Sequence, residues 1–322
     1  MRVIIYGAGG VGGVVGGHLA RAGHDVVLIG RPGHVQAIDR EGLRLVTPAG
    51  THALRLPAVT RPDQINFGPD DVVLLCMKGQ NTEEALRDLR AVTSDAPIFC
   101  FQNGVRNEEI AAQYFSRVYG AMVKIGAIYL ADGEVIARWA PPGSLVVGCY
   151  PRGTDGLVEA VAAKLRTAGF LVMVSRDVMP YKWGKLMDNL GNAITAISNA
   201  RGVDADVIGR AARQELQDLL TETGTRWVSA EQLAHDFPET ARPRRGSLDT
   251  EAQSSTWQSL ARRTGTIETE FLNGEVVRLA EKLGHQAPVN EKLWHISLEM
   301  SANRETPGKY TPARLRKLVG LD

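Results

Sequence analysis

The sequence predicts an N-terminal doubly wound α/β domain followed by an all-α C-terminal domain, and three observations carry that reading. A glycine-rich run at 7–17 follows directly on the short apolar run 3–6. Apolar, strand-like runs then alternate with a stretch of helical period, the pattern of parallel strands buried on both faces. Beyond Tyr181 the strand-like runs give way to long segments of helical period.

Taken in order, 3–6 reads as a strand, the glycine run as a turn, 18–22 as helix and 25–29 as a second strand. Buried strands are expected at 72–77 and 98–101, separated by the helical stretch 82–91, and strand-like runs continue at 118–122, 145–148 and 170–174. The segments 214–223, 266–283 and 290–302 carry helical periodicity. The simplest partition is a Rossmann-type domain over 1–176 and a helical domain over 177–322, with an exposed loop at 238–247 where proline, arginine, glycine and serine cluster.

Composition narrows the function. The 322 residues carry 37 basic against 36 acidic side chains, a formal charge of +1, so no global field recruits nucleic acid or an anionic membrane. Any anion must be met by a local site. Cys76, Cys100 and Cys149 are odd in number and far apart, which reads as reduced core thiols. No histidine pair has metal-ligand spacing, and no metal is expected. The first residues run straight into glycines, too short for a signal-peptide core, and no apolar run reaches the roughly 20 residues of a membrane span. A cytoplasmic protein is the expectation.

The glycine run contains G-x-G-x-x-G as Gly7, Ala8, Gly9, Gly10, Val11 and Gly12, after a strand and opening a helix. There the first glycine permits the tight turn, the second lets backbone approach a pyrophosphate, and the third lets helix and strand pack closely. The helix N-terminus offers its unpaired N–H groups to the phosphates. Gly12-Gly13 and Gly16-Gly17 are expected to let this helix lie close to the sheet. The second strand ends Ile29-Gly30-Arg31, without the carboxylate that would accept the 2′-OH of NAD. Arg31 instead offers a guanidinium to a 2′-phosphate, so NADP(H) is the expected cofactor.

Two polar groups stand just past strand ends: Lys78 after 72–77, and Gln102-Asn103-Gly104 after 98–101. Open α/β sheets bind ligands at that edge. Further on, Lys185, Asn189 and Asn192 fall at i, i+4 and i+7, which places them on one face of a single helix. Leu186, Met187, Leu190, Ile194 and Ile197 fill its flanks, so the polar stripe faces either a ligand or solvent. Taken by themselves, Glu268 reads as a solvated helix carboxylate and Ser255 as the cap of a helix beginning near Thr256.

These residues together resemble the ketopantoate reductases (2-dehydropantoate 2-reductases) over nearly the whole chain. The resemblance rests on the glycine motif, Arg31, Lys78 with a glutamine soon after it, Gln102-Asn103-Gly104, Lys185-Leu186 with Asn189, the stretch from Ser254-Ser255 to Gln258, and Glu268, Glu270-Phe271 and Asn273-Gly274. It implies an NADPH-binding Rossmann domain joined to a helical domain, and hydride transfer to the C2 carbonyl of 2-dehydropantoate, giving pantoate for pantothenate and coenzyme A synthesis. Lys185 matches the family's general acid, and Glu268 the carboxylate that orients substrate and lysine. Asn189, Asn192 and Ser255 match substrate-binding positions, while Lys78 and Asn103 match residues between nicotinamide and substrate.

Two spacings differ from the family's pattern. Lys185 to Asn192 is one residue shorter, and Gln258 to Glu268 is one residue longer, with 262–267 replacing a glycine-arginine-proline-threonine approach. A different 2-oxo acid or branched carbonyl therefore stays open as the substrate. A further alternative is an NADP(H)-sensing protein without turnover, against which Lys185 argues, since a sensor needs no proton donor beside the nicotinamide. The expected partner is a small 2-oxo acid, not nucleic acid or membrane; a homodimer is admitted, and the sequence does not fix the oligomeric state.

Overall fold

The computed structural model describes residues 1–199, 202–241, 248 and 254–321. Two compact units emerge, one of Met1–Lys182 with Val228–Asp249, the other of Trp183–Trp227 with Thr250–Asp322.

The first unit runs β1 (Arg2–Tyr6), α1 (Gly10–Arg21), β2 (Val26–Ile29), α2 (Pro32–Glu41), β3 (Leu43–Thr47), β4 (Gly50–Leu54), β5 (Ala58–Val59), β6 (Asp71–Leu75), α3 (Thr82–Val92), β7 (Ile98–Cys100), α4 (Asn107–Ala112), β8 (Val118–Ile125), β9 (Ala127–Ile128), β10 (Glu134–Ala137), β11 (Gly143–Cys149), α5 (Gly156–Thr167) and β12 (Leu171–Val174). Then comes α6 (Met179–Asn189), in which the boundary between the units falls. The second unit continues with α7 (Gly191–Ser198) and α8 (Val203–Glu222); α9 (Ala230–Asp236) belongs to the first unit, and α10 (Ser255–Ala261), α11 (Asn273–Lys282), α12 (Pro288–Ala302) and α13 (Pro312–Leu318) complete the second.

Each expected strand forms within a residue or two of its predicted bounds, except that β8 runs on to Ile125. They build an eight-stranded sheet in the order β12-β11-β8-β7-β6-β1-β2-β5. All neighbours are parallel except β8 and β11. Its strands are apolar on both faces: β6 and β7 are buried at every position.

A second sheet, β4-β3-β10-β9, was not anticipated. Helix α1 lies between the two sheets, and its glycine pairs explain how. A methyl group on Gly16 would stand 2.8 Å from Leu28 of the large sheet, whereas one on Gly13 would stand 2.5 Å from Val135 of the small one. Residues four apart share a helix face. The pair Gly12 and Gly16 thus serves one sheet, and Gly13 and Gly17 the other.

Segment 228–249 joins the first unit through Phe237, which buries against Met122, Val146 and Val178, and through Tyr181, whose hydroxyl donates to Asp236 at 2.8 Å. Of the loop expected at 238–247, Pro238–Ala241 forms a short 3-10 turn, and 242–247 lie outside the described residues.

In the second unit the helix expected through 185–192 is two helices meeting at Leu190. Leu190 N–H still donates to Leu186, but its carbonyl accepts from the Asn273 amide at 3.3 Å. A carbonyl engaged by a buried side chain marks the break in the ladder, and Gly191 follows immediately. Asn273 also donates to Asn290 (2.9 Å), which donates to Ala212 O and Glu215. Glu215 in turn accepts the N–H groups of Val289 and Asn290 in the first turn of α12, so one buried chain of polar groups ties α8, α11 and α12 to the α6–α7 junction. The predicted helix 266–283 is likewise broken, at Leu272, where a 3-10 turn Thr269–Phe271 meets α11. Among the described residues no helix is long and apolar enough to cross a membrane.

Candidate active site

In the first unit four predicted site segments share one edge of the large sheet. Ile29, Tyr6, Leu75 and Cys100 are successive cross-strand partners, so β2, β1, β6 and β7 end in line. The next residues are stitched across the same edge: Gly7 N–H donates to Ile29 O (2.9 Å), Cys76 N–H to Tyr6 O (2.7 Å) and Phe101 N–H to Leu75 O (2.9 Å). The glycine turn, Arg31, Lys78 and Asn103 each follow within three residues.

The glycine turn fits a dinucleotide pyrophosphate. Gly7 has φ of +100°, and a methyl group there would lie 2.4 Å from Met77 N. A methyl group on Gly12 would lie 2.2 Å from Gly7 O. Both positions therefore exclude any side chain. Gly9 caps α1 with no side chain, and the first turn holds no acidic residue, leaving the helix N–H groups for an anion. Tyr129 lies beside Gly9, its ring 3.5 Å from where a methyl group would be. Arg31 is exposed at the start of α2, and Gly30 approaches Ala8 of the turn, 3.4 Å between Ala8 Cβ and a methyl group on Gly30.

Lys78 and Asn103 are half-buried on loops that a buried polar network holds in place. The Gln102 amide donates to Met77 O (3.0 Å) and to the Thr82 hydroxyl (2.7 Å). Thr82 donates to Asn107 (2.8 Å), and the Asn107 amide returns to Asn103 O (2.8 Å). Lys182, 2% exposed, donates to Gln102 O at 3.2 Å and forms an ion pair with Glu108, 0% exposed. Burial pushes the Glu108 carboxyl up, and Lys182 opposes that shift. Burial likewise pushes the Cys100 thiol well up, and all three cysteines are free thiols.

Thr82, Asn107, Glu108 and Lys182 were not singled out from the sequence. The available signal was slight: Lys182 is a charge among residues that pack inward, three positions before Lys185.

In the second unit, Lys185 is half-buried and Asn189 is 6% exposed, one turn apart on α6. The structure does not continue them with Asn192 on the same helix; Asn192 lies on α7, past the break. Its carbonyl accepts from Thr195 (3.0 Å) and Ser254 (3.2 Å), which brings Asn192 next to the start of α10 and hence to Ser255. The cap of α10 is Ser254, whose hydroxyl accepts Trp257 N–H; Ser255 is the first helical residue and does not cap. Glu268 is 5% exposed, not solvated, at the start of the 3-10 turn before α11. The segment 262–267 before it turns through Arg263 (φ 50°) and Gly265 (φ +72°).

A doubly wound sheet with a glycine turn at its carboxyl edge, joined to a helical unit, defines a nicotinamide-dependent oxidoreductase. The family profile described as "Ketopantoate reductase PanE/ApbA" matches residues 3–152, and its "C terminal" counterpart matches 177–300. The chain belongs to the ketopantoate reductase family and is an oxidoreductase acting on CH–OH groups. It is 30% identical over 307 residues to the 2-dehydropantoate 2-reductase of Pyrococcus abyssi (strain GE5 / Orsay), covering 91% of this chain and 96% of that one. Among solved structures, the PanE/ApbA family ketopantoate reductase from Ralstonia eutropha JMP134 is similar at TM-score 0.78 and 30% identity, covering 94% and 99% of the two chains. A ternary structure of D-mandelate dehydrogenase with NADH and anilino(oxo)acetate has the same TM-score of 0.78 at 22% identity, over 94% of this chain and 99% of that chain, a likeness of fold.

Proposed function

We propose that this chain reduces 2-dehydropantoate to (R)-pantoate with NADPH, a step in pantothenate and coenzyme A synthesis. The observation that carries the proposal is Lys185, a half-buried ammonium one turn from buried Asn189, in a chain whose first unit sets a glycine turn and Arg31 on one sheet edge. The first unit is assigned to the cofactor, and the second to substrate and proton transfer.

NADPH, when bound, supplies the hydride that adds to C2 of the 2-oxo acid. The α1 N-terminus would hold the pyrophosphate, and the Arg31 guanidinium would hold the 2′-phosphate. By the family resemblance, Lys78 and Asn103 would contact the nicotinamide and the substrate. Asn189, Asn192 and Ser255 hold the polar groups of the substrate, and Glu268 orients the substrate and the lysine. Reduction of the carbonyl would build negative charge on its oxygen. Lys185 stabilises that charge and donates the proton that completes the alcohol. The three free thiols support a reducing, cytoplasmic setting.

A second reading, a different 2-oxo acid on the same scaffold, is favoured by the turn 262–267, which leads into Glu268 with one residue more than the family's pattern. The test of both is NADPH oxidation with 2-dehydropantoate beside a panel of 2-oxo acids. Turnover with 2-dehydropantoate at the highest kcat/KM supports the first reading. A higher kcat/KM with another acid supports the second, and no turnover with any sinks both in favour of an NADP(H) sensor. Lys185→Ala is expected to lower kcat by about 10²–10⁴-fold while the Kd for NADPH stays within about twofold.

A further inference from the structure

The loop 129–133 between β9 and β10 reaches across to the end of β2, where the adenosine ribose of a dinucleotide belongs. The Tyr129 hydroxyl donates to Asp132 Oδ1 at 2.5 Å, and the Tyr129 ring meets His34 edge to face at 4.8 Å. Gly133 N–H donates to His34 Nδ1 at 2.8 Å, and a methyl group on Gly133 would stand 3.0 Å from Ala37 Cβ. The loop is thus fastened to the first two turns of α2 at His34 and Ala37, and its tyrosine to Gly9 of the glycine turn. This fixes the Asp132 carboxylate: a methyl group on Gly33 would lie 2.5 Å from Oδ2, so the carboxylate is in contact with that glycine. Gly33 is two residues past Arg31, within about 7 Å along the chain. Helix α2 has no acidic residue of its own in its first turn and no side-chain cap, and the Asp132 carboxylate stands against Gly33 in that turn.

We propose that Asp132 is a cofactor-specificity residue, a carboxylate held against Gly33, two residues past Arg31, that favours the free 2′-hydroxyl of NADH and weakens the hold of the site on the 2′-phosphate of NADPH. The inference rests on the assignment of Arg31 to the 2′ position. Arg31 attracts a 2′-phosphate of charge about −1.5 to −2, and the nearby carboxylate repels the same group. Toward a hydroxyl the carboxylate is an acceptor, the role that an acidic residue at the end of the second strand plays in NAD sites. Arg31 and Asp132 together therefore make a mixed site. Its preference for NADPH is smaller than Arg31 alone would give.

The test is the ratio of dissociation constants, Kd for NADH over Kd for NADPH, read from cofactor fluorescence. A ratio taken within one variant is insensitive to the fraction of folded protein. Asp132→Asn is expected to raise the ratio about three- to tenfold at low ionic strength, and by less at 1 M salt, where exposed charges are screened. An unchanged ratio would overturn the proposal. So would a lowered one, which would mean that Asp132 holds Arg31 in its binding pose. Arg31→Ala separates this outcome from failure of the parent assignment. Equal loss of both cofactors in Arg31→Ala removes Arg31 from the 2′ site whatever Asp132→Asn does, whereas a collapsed ratio in Arg31→Ala with an unmoved one in Asp132→Asn removes Asp132 alone.

Discussion

At the scale of single residues the Lys182–Glu108 pair is the most consequential contact that the sequence concealed. An ion pair with both members nearly inaccessible gains from mutual attraction about what it loses in desolvation, but removing one partner strands the other. Lys182→Met is therefore expected to cost about 3–5 kcal/mol, read as a lower midpoint in urea, and Lys182→Met/Glu108→Leu to recover a large part of that loss. Additive losses in the double variant would mean that the two side chains act independently. Because Lys182 also binds Gln102 O, and Gln102 fixes the backbone at Met77, the single variant should disturb the loops bearing Lys78 and Asn103 as well. The expected mark is a raised KM for both substrates in the fraction that remains folded. The positions of Lys78 and Asn103 past strand ends were legible because a strand end is a local event: an apolar run stops and a polar residue follows. The pair was not legible, since its members lie 74 positions apart and each by itself reads as an ordinary surface charge. Glu268 was misread by itself for the same reason. Its burial comes from the fold around it and not from its neighbours in sequence.

At the scale of elements, α1 shows what the glycine pattern encodes beyond a tight turn. Its two glycine pairs were expected to serve one sheet and in fact serve two, because the small sheet was not foreseen. The strands of that sheet are two to five residues long and partly exposed, so their alternation is short and diluted by loop residues. Only β3, with Leu43, Leu45 and Thr47 buried in alternation, carried a usable signal. The same sandwich buries His18, whose ring meets Phe170 edge to face. Burial first, and then Arg21, lower its pKa from 6.5 to about 4. A group that is neutral in the folded state and titrates higher when unfolded contributes stability that is present above pH 6.5 and lost as pH falls toward 4. The loss is at most about 3 kcal/mol. Thermal unfolding midpoints should therefore drop across this window, and His18→Gln should flatten the drop. An identical pH dependence in the variant would assign the acid sensitivity to other groups. At the helix break near Leu190 the sequence pattern was right about burial and wrong about continuity, since the partner that draws the carbonyl away, Asn273, is 83 residues distant.

For the whole molecule, the large sheet and the helical character of the second unit were legible from periodicity, because both are built from long runs that repeat one environment. The return of 228–249 to the first unit was not, since Phe237 and Asp236 become partners only once the sheet exists to receive them. The cofactor assignment can be examined at this scale without turnover. A ligand that binds only the folded chain stabilises it by RT ln(1 + [L]/Kd), about 2.7 kcal/mol at a hundredfold excess over Kd. For a protein of this length that corresponds to a rise in Tm of about 5 °C. If Arg31 holds the 2′-phosphate, NADPH and NADH at equal concentration must differ in the shift they produce, with NADPH the larger, and the excess must vanish in Arg31→Ala while the NADH shift remains. Lys185→Ala, by contrast, should keep both shifts intact although it loses turnover, because the role proposed for Lys185, proton donor to the substrate, leaves the dinucleotide untouched. Equal shifts from the two cofactors in the wild-type chain would leave the glycine turn as a dinucleotide site and remove the 2′-phosphate from its recognition.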